Sequence, residues 1–233
     1  RQRSNEKPFA FFIYRFMEVL YEDNHVIIVC KEAGELVHFD KSGDTPLSEI
    51  VKQWLKEKYN KPGNVFLGTV HRLDRPVAGN VVFAKTSKAL VRLNDMFRHG
   101  MVRKIYWAIV EGKPAQPEAT LVDWLVRNEN QNRSYAYKHE MPRSKEAILS
   151  YRTLTEGDNY TLLEVNLMTG RHHQIRCQLA TMGCPIRGDL KYGAHRSNPD
   201  GGISLLSRHV EFEHPVSHRM ISVTSPLPPD PLW

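Results

Sequence analysis

Thirteen residues, Thr69 to Val81, read TVHRLDRPVAGNV and set one acid, Asp74, among His71, Arg72 and Arg75. Pro76 and Gly79 break the chain just after the acid, and the apolar run VVFA at 81–84 follows. That order predicts strand, turn and strand, with the carboxylate at the tip of the turn. An ionised Asp held in place can act as a nucleophile, a general base or an electrostatic stabiliser. It can equally be a turn residue in surface ion pairs, each contributing roughly 0–1 kcal/mol. The spacing alone favours the second reading, since charged turns are common. The rest of the chain shifts the balance.

A second stretch, TGRHHQIRCQL at 169–179, carries Arg176. Ile175, Leu179 and Met182 recur at helical spacing, which predicts a helix over 171–182 and puts Arg171, Gln174 and Gln178 on another face. Arg176 lies about 100° around that helix from Ile175, at the edge of the apolar stripe. From there its stem can pack on the core while its guanidinium reaches inward to a carboxylate, Asp74 being the obvious candidate. The alternative is a surface cation lying along its own helix. Tyr106 falls mid-strand in KIYWAIVE, where a ring can simply fill core or can stack on a base and move a proton.

Other chemistries find little support. His172, His173, His214 and His218, with Cys177 and Cys184, form neither a paired CxxC nor an HExxH signature, so no metal is expected. No GxxxxGK[ST] loop and no GxGxxG after a strand occurs, so no nucleotide cofactor is expected. Ser87, Ser204 and Ser207 lack a nucleophile-elbow context.

These residues need a frame, and the pattern predicts one. Residues 17–21 and 26–30 read as strands flanking a polar turn, and 36–39 as another short strand. Leu47, Ile50, Val51, Trp54 and Leu55 predict an amphipathic helix over 46–59. A second helix spans 87–98, with Ser87 as its cap and Leu90, Leu93 and Phe97 on one face. Strands are expected at 104–111 and 120–126, then irregular polar sequence over 127–144, then a hairpin of 147–155 with 160–167. Short strands at 204–209 and 220–224 close the chain. Strands dominate and helices do not alternate with them, which predicts an α+β fold with a mixed, largely antiparallel central sheet, flanking helices and loops, and a cleft across the sheet.

With 233 residues, 41% hydrophobic and 25% charged, the chain reads as a single domain over 17–233 behind an N-terminal extension at 1–16. A net charge of +6 suits a polyanionic partner. Three cysteines, Cys30 taken as a buried small hydrophobe, form no even-numbered framework and point to a reducing, cytoplasmic setting. No apolar run is long enough to span a membrane.

The motifs together resemble a known family. HRLDRPVAGNVVFAK is similar to the HRLDxxTSGxxxxAK signature of RluA-type RNA pseudouridine synthases. VLYEDNHVIIVCKEAGELVH, KIYWAIVEG, TGRHHQIRCQLATMGCPIRGDLKYG and FEHPVSHRMISVTSPLP resemble the family's other segments, in its order. The likeness runs from about Val19 to Pro228. It implies isomerisation of uridine in ribosomal or transfer RNA to its C-glycoside, with no cofactor and no metal. By position, Asp74 matches the catalytic aspartate, Arg176 the basic residue paired with it, and Tyr106 the active-site tyrosine. Arg72 matches the arginine that fills the gap left by the flipped nucleotide. RNA contacts are expected from it and from His71, Arg75, Arg171, His173 and Gln174. Arg103, Lys104, Arg127, Arg133, Lys138, Arg143 and Lys145 are further candidates for the RNA backbone.

Four departures stand out. Val77-Ala78 replaces Thr-Ser, Glu32 stands where Pro is usual, His172 replaces Thr, and Gln178 replaces His. A stand-alone catalytic domain, without the small N-terminal RNA-binding domain of many relatives, is expected, acting as a monomer. A catalytically silent RNA-binding or chaperone module of the same fold, or a base-excising N-glycosidase, would be the alternatives.

Overall fold

A computed structural model describes residues 17–233, so the expected extension at 1–16 lies outside the described residues. The first strands, β1 (Glu18–Glu22) and β2 (Val26–Lys31), form the expected antiparallel hairpin. Asp23 Oδ1 accepts from the amides of His25 and Val26, which closes the turn. Helix α1 (Leu47–Lys58) buries Leu47, Ile50, Val51 and Leu55, the predicted stripe. Then come β3 (Gly68–Thr69) and β4 (Ala78–Ala84), antiparallel to each other and flanking the Asp74 turn. Helix α2 (Ser87–Arg98) follows, and after it β5 (Arg103–Glu111), β6 (Glu118–Asn128), β7 (Arg133–Tyr137), β8 (Lys145–Glu156) and β9 (Tyr160–Leu167). Helix α3 (Gln174–Thr181), a 3-10 turn (Leu190–Tyr192), β10 (Leu205–Glu213) and β11 (Met220–Thr224) complete the chain.

The strands join in one sheet of order β1-β2-β4-β10-β5-β9-β8-β6-β7, with β3 on β4 and β11 on β10. The fold is α+β and mostly antiparallel, as expected. Among the described strands, β4 and β10 make the parallel pair, through Leu206 opposite Ala78 and Ser207 opposite Gly79. A side chain at Gly79 would meet the Ser207 carbonyl oxygen at 2.4 Å, and its φ is +112°. Only glycine lets β10 pass this close to the end of the turn.

Both faces of the β1–β10 half are covered. One face packs Ile27, Val29, Val81 and Phe83 against α1, and the same cluster continues through Ala108 and Val165 to Ile175 and Leu179 of α3. The other packs Val26, Ile28, Val82 and Phe212 against Ala89, Leu93 and Met96 of α2. Strand β2 is therefore apolar at successive residues instead of alternating.

Five local expectations need correction. Residues 36–39 form no strand; the Leu36 carbonyl accepts from Leu47 N at the start of α1 instead of from a neighbouring strand. The cap of α2 is Thr86, whose extended backbone lets its side chain accept from Ala89 N at 3.2 Å, while Ser87 is already helical. The polar stretch 127–144 contains β7, an edge strand whose Ser134 faces inward while Tyr135 and Tyr137 stay exposed. Helix α3 begins at Gln174, so Arg171 and His172 lie in the turn before it. Cys30 is only half-buried; Gln174 and Gln178 of α3, away from its apolar stripe, are buried as well.

Candidate active site

The turn that carries Asp74 is tied down from below. Val77 N donates to the Asp74 carbonyl at 3.0 Å, and Ile203 N to the Pro76 carbonyl at 3.0 Å. Beneath it, the wholly buried Lys31 donates to the carbonyls of Glu32, Arg75 and Val77 at 2.9, 3.0 and 2.6 Å. Three ammonium protons meet three carbonyl oxygens, so the group is saturated without a carboxylate. Burial pulls its pKa down to about 8, against the opposing influence of Glu35 and Asp74. The backbone of the turn is held, and the Asp74 side chain is left 27% exposed.

Arg176 reaches that carboxylate from α3. Its Nη1 donates to Asp74 Oδ2 at 3.2 Å, while Nε and Nη2 grip both oxygens of Asp189 at 2.7 and 2.8 Å. Burial disfavours the guanidinium charge, but Asp189 and then Asp74 outweigh it and hold the pKa above its ordinary value. The Tyr192 ring lies 5.1 Å from the guanidinium carbon and completes the enclosure. His173 caps α3 in a left-handed conformation, φ +53°. Its Nε2 is 3.6 Å from Asp74 Oδ2, and its Nδ1 meets the Tyr192 hydroxyl at 3.0 Å. Burial and the neighbouring Arg176 keep this imidazole neutral, its pKa far below the usual value. His172 stacks on it at 3.8 Å and contacts Ser134 and Asn132.

Strand β5 forms another wall, with Lys104 and Tyr106 two residues apart on the cleft side. Burial, reinforced by the Asp74 charge and partly opposed by Ser207, pushes the Tyr106 phenol up to about 12. It is a neutral donor at working pH, suited to stacking and proton delivery and not to acting as a ready base. The cleft has a volume of about 600 Å³, enough for a nucleoside, with Asp74, Tyr106 and Arg176 all in its lining. A separate concavity of about 530 Å³ lies between α2 and the β10–β11 turn and contains none of these three residues.

The other predicted residues divide. Arg72 and Arg171 line the cleft, Arg72 without a carboxylate partner among the described residues and Arg171 with Nε on the Glu146 carbonyl. Arg75 turns away and pairs with Asp44 at 2.7 Å. His71 lines the cleft but is not a free cation: its Nε2 accepts from Val82 N at 2.9 Å and its ring stacks on Phe97. Burial, then Lys104, pushes its pKa down to about 3. Gln174 spends its amide inside the protein, accepting from Thr169 and Arg171 N and donating to the Ile148 carbonyl.

A cation-lined cleft with one accessible carboxylate fixed by a buried guanidinium can be compared with known proteins. The family model described as RNA pseudouridylate synthase matches residues 25–181. The chain belongs to the RNA pseudouridine synthases. It is 31% identical over 228 residues to an uncharacterised RNA pseudouridine synthase of Bacillus subtilis, covering 93% of this chain and 70% of that one. It is 30% identical over 224 residues to the ribosomal large subunit pseudouridine synthase D of Zymomonas mobilis, covering 92% and 70%. A Synechocystis relative, also an uncharacterised RNA pseudouridine synthase, is 32% identical over 91% of this chain and 66% of its own length. The chain thus spans about two thirds of the length of these relatives. The fold matches the human RNA pseudouridylate synthase domain containing 4 with a TM-score of 0.78 at 21% identity, over 94% and 91% of the two chains.

As an RNA pseudouridine synthase, the protein is an RNA-uridine isomerase. Sequence reasoning missed three residues that hold the site in place from outside the cleft lining. Asp189, 2% exposed, is the stronger partner of Arg176; its signal was the GDLKYG segment that closes the second motif. Tyr192 belongs to the same segment. Lys31 ends β2, and its place after an apolar run does not show that its amine turns in under the Asp74 turn. Among the described residues no group of three His, Cys, Asp or Glu side chains is placed to hold a metal ion, and no helix is long and apolar enough to cross a membrane.

Proposed function

We propose that this chain isomerises specific uridines in structured RNA, with ribosomal RNA as the first candidate because relatives of similar identity are named for the ribosomal large subunit. The single observation that carries the assignment of roles is the partly exposed Asp74 carboxylate held by Arg176 on the wall of a cation-lined cleft. The target nucleotide leaves its stack at a cost of a few kcal/mol, and Arg72 offsets part of that cost by stacking in the gap and contacting phosphate. Asp74 assists cleavage of the N1–C1′ bond, by attack on C1′ or by electrostatic support of elimination. The uracil turns, C5 bonds to C1′, the C5 proton is lost, and N1 gains a proton, so product and substrate are isomers. Tyr106 faces the base as a neutral phenol, and Arg176 keeps the carboxylate aimed. The unit acts as a monomer and needs neither cofactor nor metal.

The test treats total RNA from a strain lacking the protein with wild type and with Asp74→Ala, followed by carbodiimide mapping of pseudouridine. New sites made by wild type alone support the proposal and name the substrate. RNA binding by both without pseudouridine would favour a binding module, and release of free uracil a glycosidase.

A further inference from the structure

The cations thought suited to the RNA backbone are not equivalent in the fold. Arg103 lies on the opposite face of β5 and sits 3.8 Å from Glu211, and Lys138 pairs with Asp123 at 2.6 Å. Arg133 is stacked between Tyr135 and Tyr192. Of the seven, only Lys104 is in the lining of the cleft. It is half-buried, and no carboxylate among the described residues lies within ion-pair distance of its ammonium. His71, whose pKa the Lys104 charge helps to lower, accepts from Val82 N through Nε2 and carries no negative charge to neutralise it. Burial lowers the amine's pKa, the mark of a charge that has lost water and gained no counter-ion.

Position fits an anion from the substrate. Lys104 and Tyr106 are adjacent on one face of the strand, about 7 Å apart along it. A nucleoside with its base at Tyr106 and its anomeric carbon at Asp74 places its own phosphodiester within a lysine's reach of that strand position. We propose that Lys104 binds the backbone phosphate of the target uridine itself, a buried phosphate subsite that fixes the flipped nucleotide in the cleft. The inference deepens the proposed isomerase reading and rests on it for the pose. Lys104 is a binding residue here, not a proton-transfer group. Its cleft neighbours of either charge are His71, Arg72, Asp74, Arg98, Tyr106 and Arg171.

The experiment measures RNA affinity against salt, and the single-turnover rate at saturating RNA, for wild type, Lys104→Gln and Lys104→Arg on a ribosomal RNA transcript. Lys104→Gln should weaken binding roughly ten- to a hundredfold and flatten the log–log salt slope by about 0.7–0.9. Lys104→Arg should restore affinity and slope. Wild-type binding should also weaken at alkaline pH as the amine loses its proton, while the Arg variant, always charged, should not follow. Unchanged affinity and an unchanged slope in Lys104→Gln overturn the proposal. If Lys104→Gln fails to fold, an Arg variant with wild-type melting but weakened binding overturns it too. Binding is read independently of catalysis, so wild type that binds without making pseudouridine refutes the isomerase reading alone.

Discussion

Two carboxylates share one guanidinium, Asp74 in the lining of the cleft and Asp189 outside it, and they are held very differently. Asp189 is 2% exposed and takes both arms of the Arg176 fork at 2.7 and 2.8 Å. Asp74 is 27% exposed and accepts one hydrogen bond from the fork, at 3.2 Å. A bidentate pair in a dry site is a structural clamp, because either partner left alone would be a buried uncompensated charge. A single longer contact orients a carboxylate without consuming it, and leaves its second oxygen for chemistry. Asp189 anchors the arginine, and the arginine aims Asp74.

The largest effect should come from breaking the exposed half of this pair. Asp74→Asn keeps the side chain's shape and is expected to lower single-turnover pseudouridine formation by about 10⁴-fold or more. It should change the unfolding free energy by only about 1 kcal/mol, since the carboxylate it removes is partly solvated. Asp189→Asn inverts the pattern. It leaves Arg176 buried with its main partner gone and is expected to cost about 3–5 kcal/mol in denaturant unfolding. Activity should fall as well, because the freed fork would close on Asp74. Arg176→Lys should fall between the two: a point charge cannot grip Asp189 at two places, and a loss of about 2 kcal/mol is expected.

A smaller effect probes the tether beneath Asp74. The Lys31 pKa is depressed by burial to about 8, from an ordinary value of 10.5. Between those pH values the unfolded chain binds more protons than the folded one, so this group makes stability rise with pH across that window. Below about pH 8 both states hold the proton and the penalty of burying the charge is present in full. Lys31→Met lacks the titration. The wild type should therefore gain on the order of 1–3 kcal/mol relative to it between pH 8 and 10.5, read as the difference between two chemical-denaturation series. A flat difference would mean that the three carbonyls compensate the buried charge fully and its pKa is not depressed.

The two halves of the clamp were unequally legible in the sequence. Asp74 stood out because a lone acid sat among cations at a predicted turn. Arg176 could be placed at a helix edge from the apolar period of its neighbours. Asp189 lies in a short 3-10 region with no periodicity to betray which way it points. The polar run that hid β7 is an edge strand with tyrosines on its open face, so hydropathy read it as loop. Gln178 falls outside the apolar stripe of its helix, yet its amide is buried and donates to Asp123 Oδ2 at 2.7 Å. Side-chain polarity indicates solvent only when no internal partner exists, and a sequence does not display partners. The helices and most strands carried their own apolar periods and were placed well.

The most direct measurement is tritium release from RNA labelled at uracil C5, under single-turnover conditions, alongside thermal melting, for wild type, Asp74→Asn and Asp189→Asn. Reattachment through C5 frees that hydrogen, so release reports the isomerisation itself. The account predicts release by wild type, none by an Asp74→Asn protein that melts normally, and a lowered melting temperature for Asp189→Asn. Release by Asp74→Asn at close to the wild-type rate, or normal melting of Asp189→Asn, would contradict it.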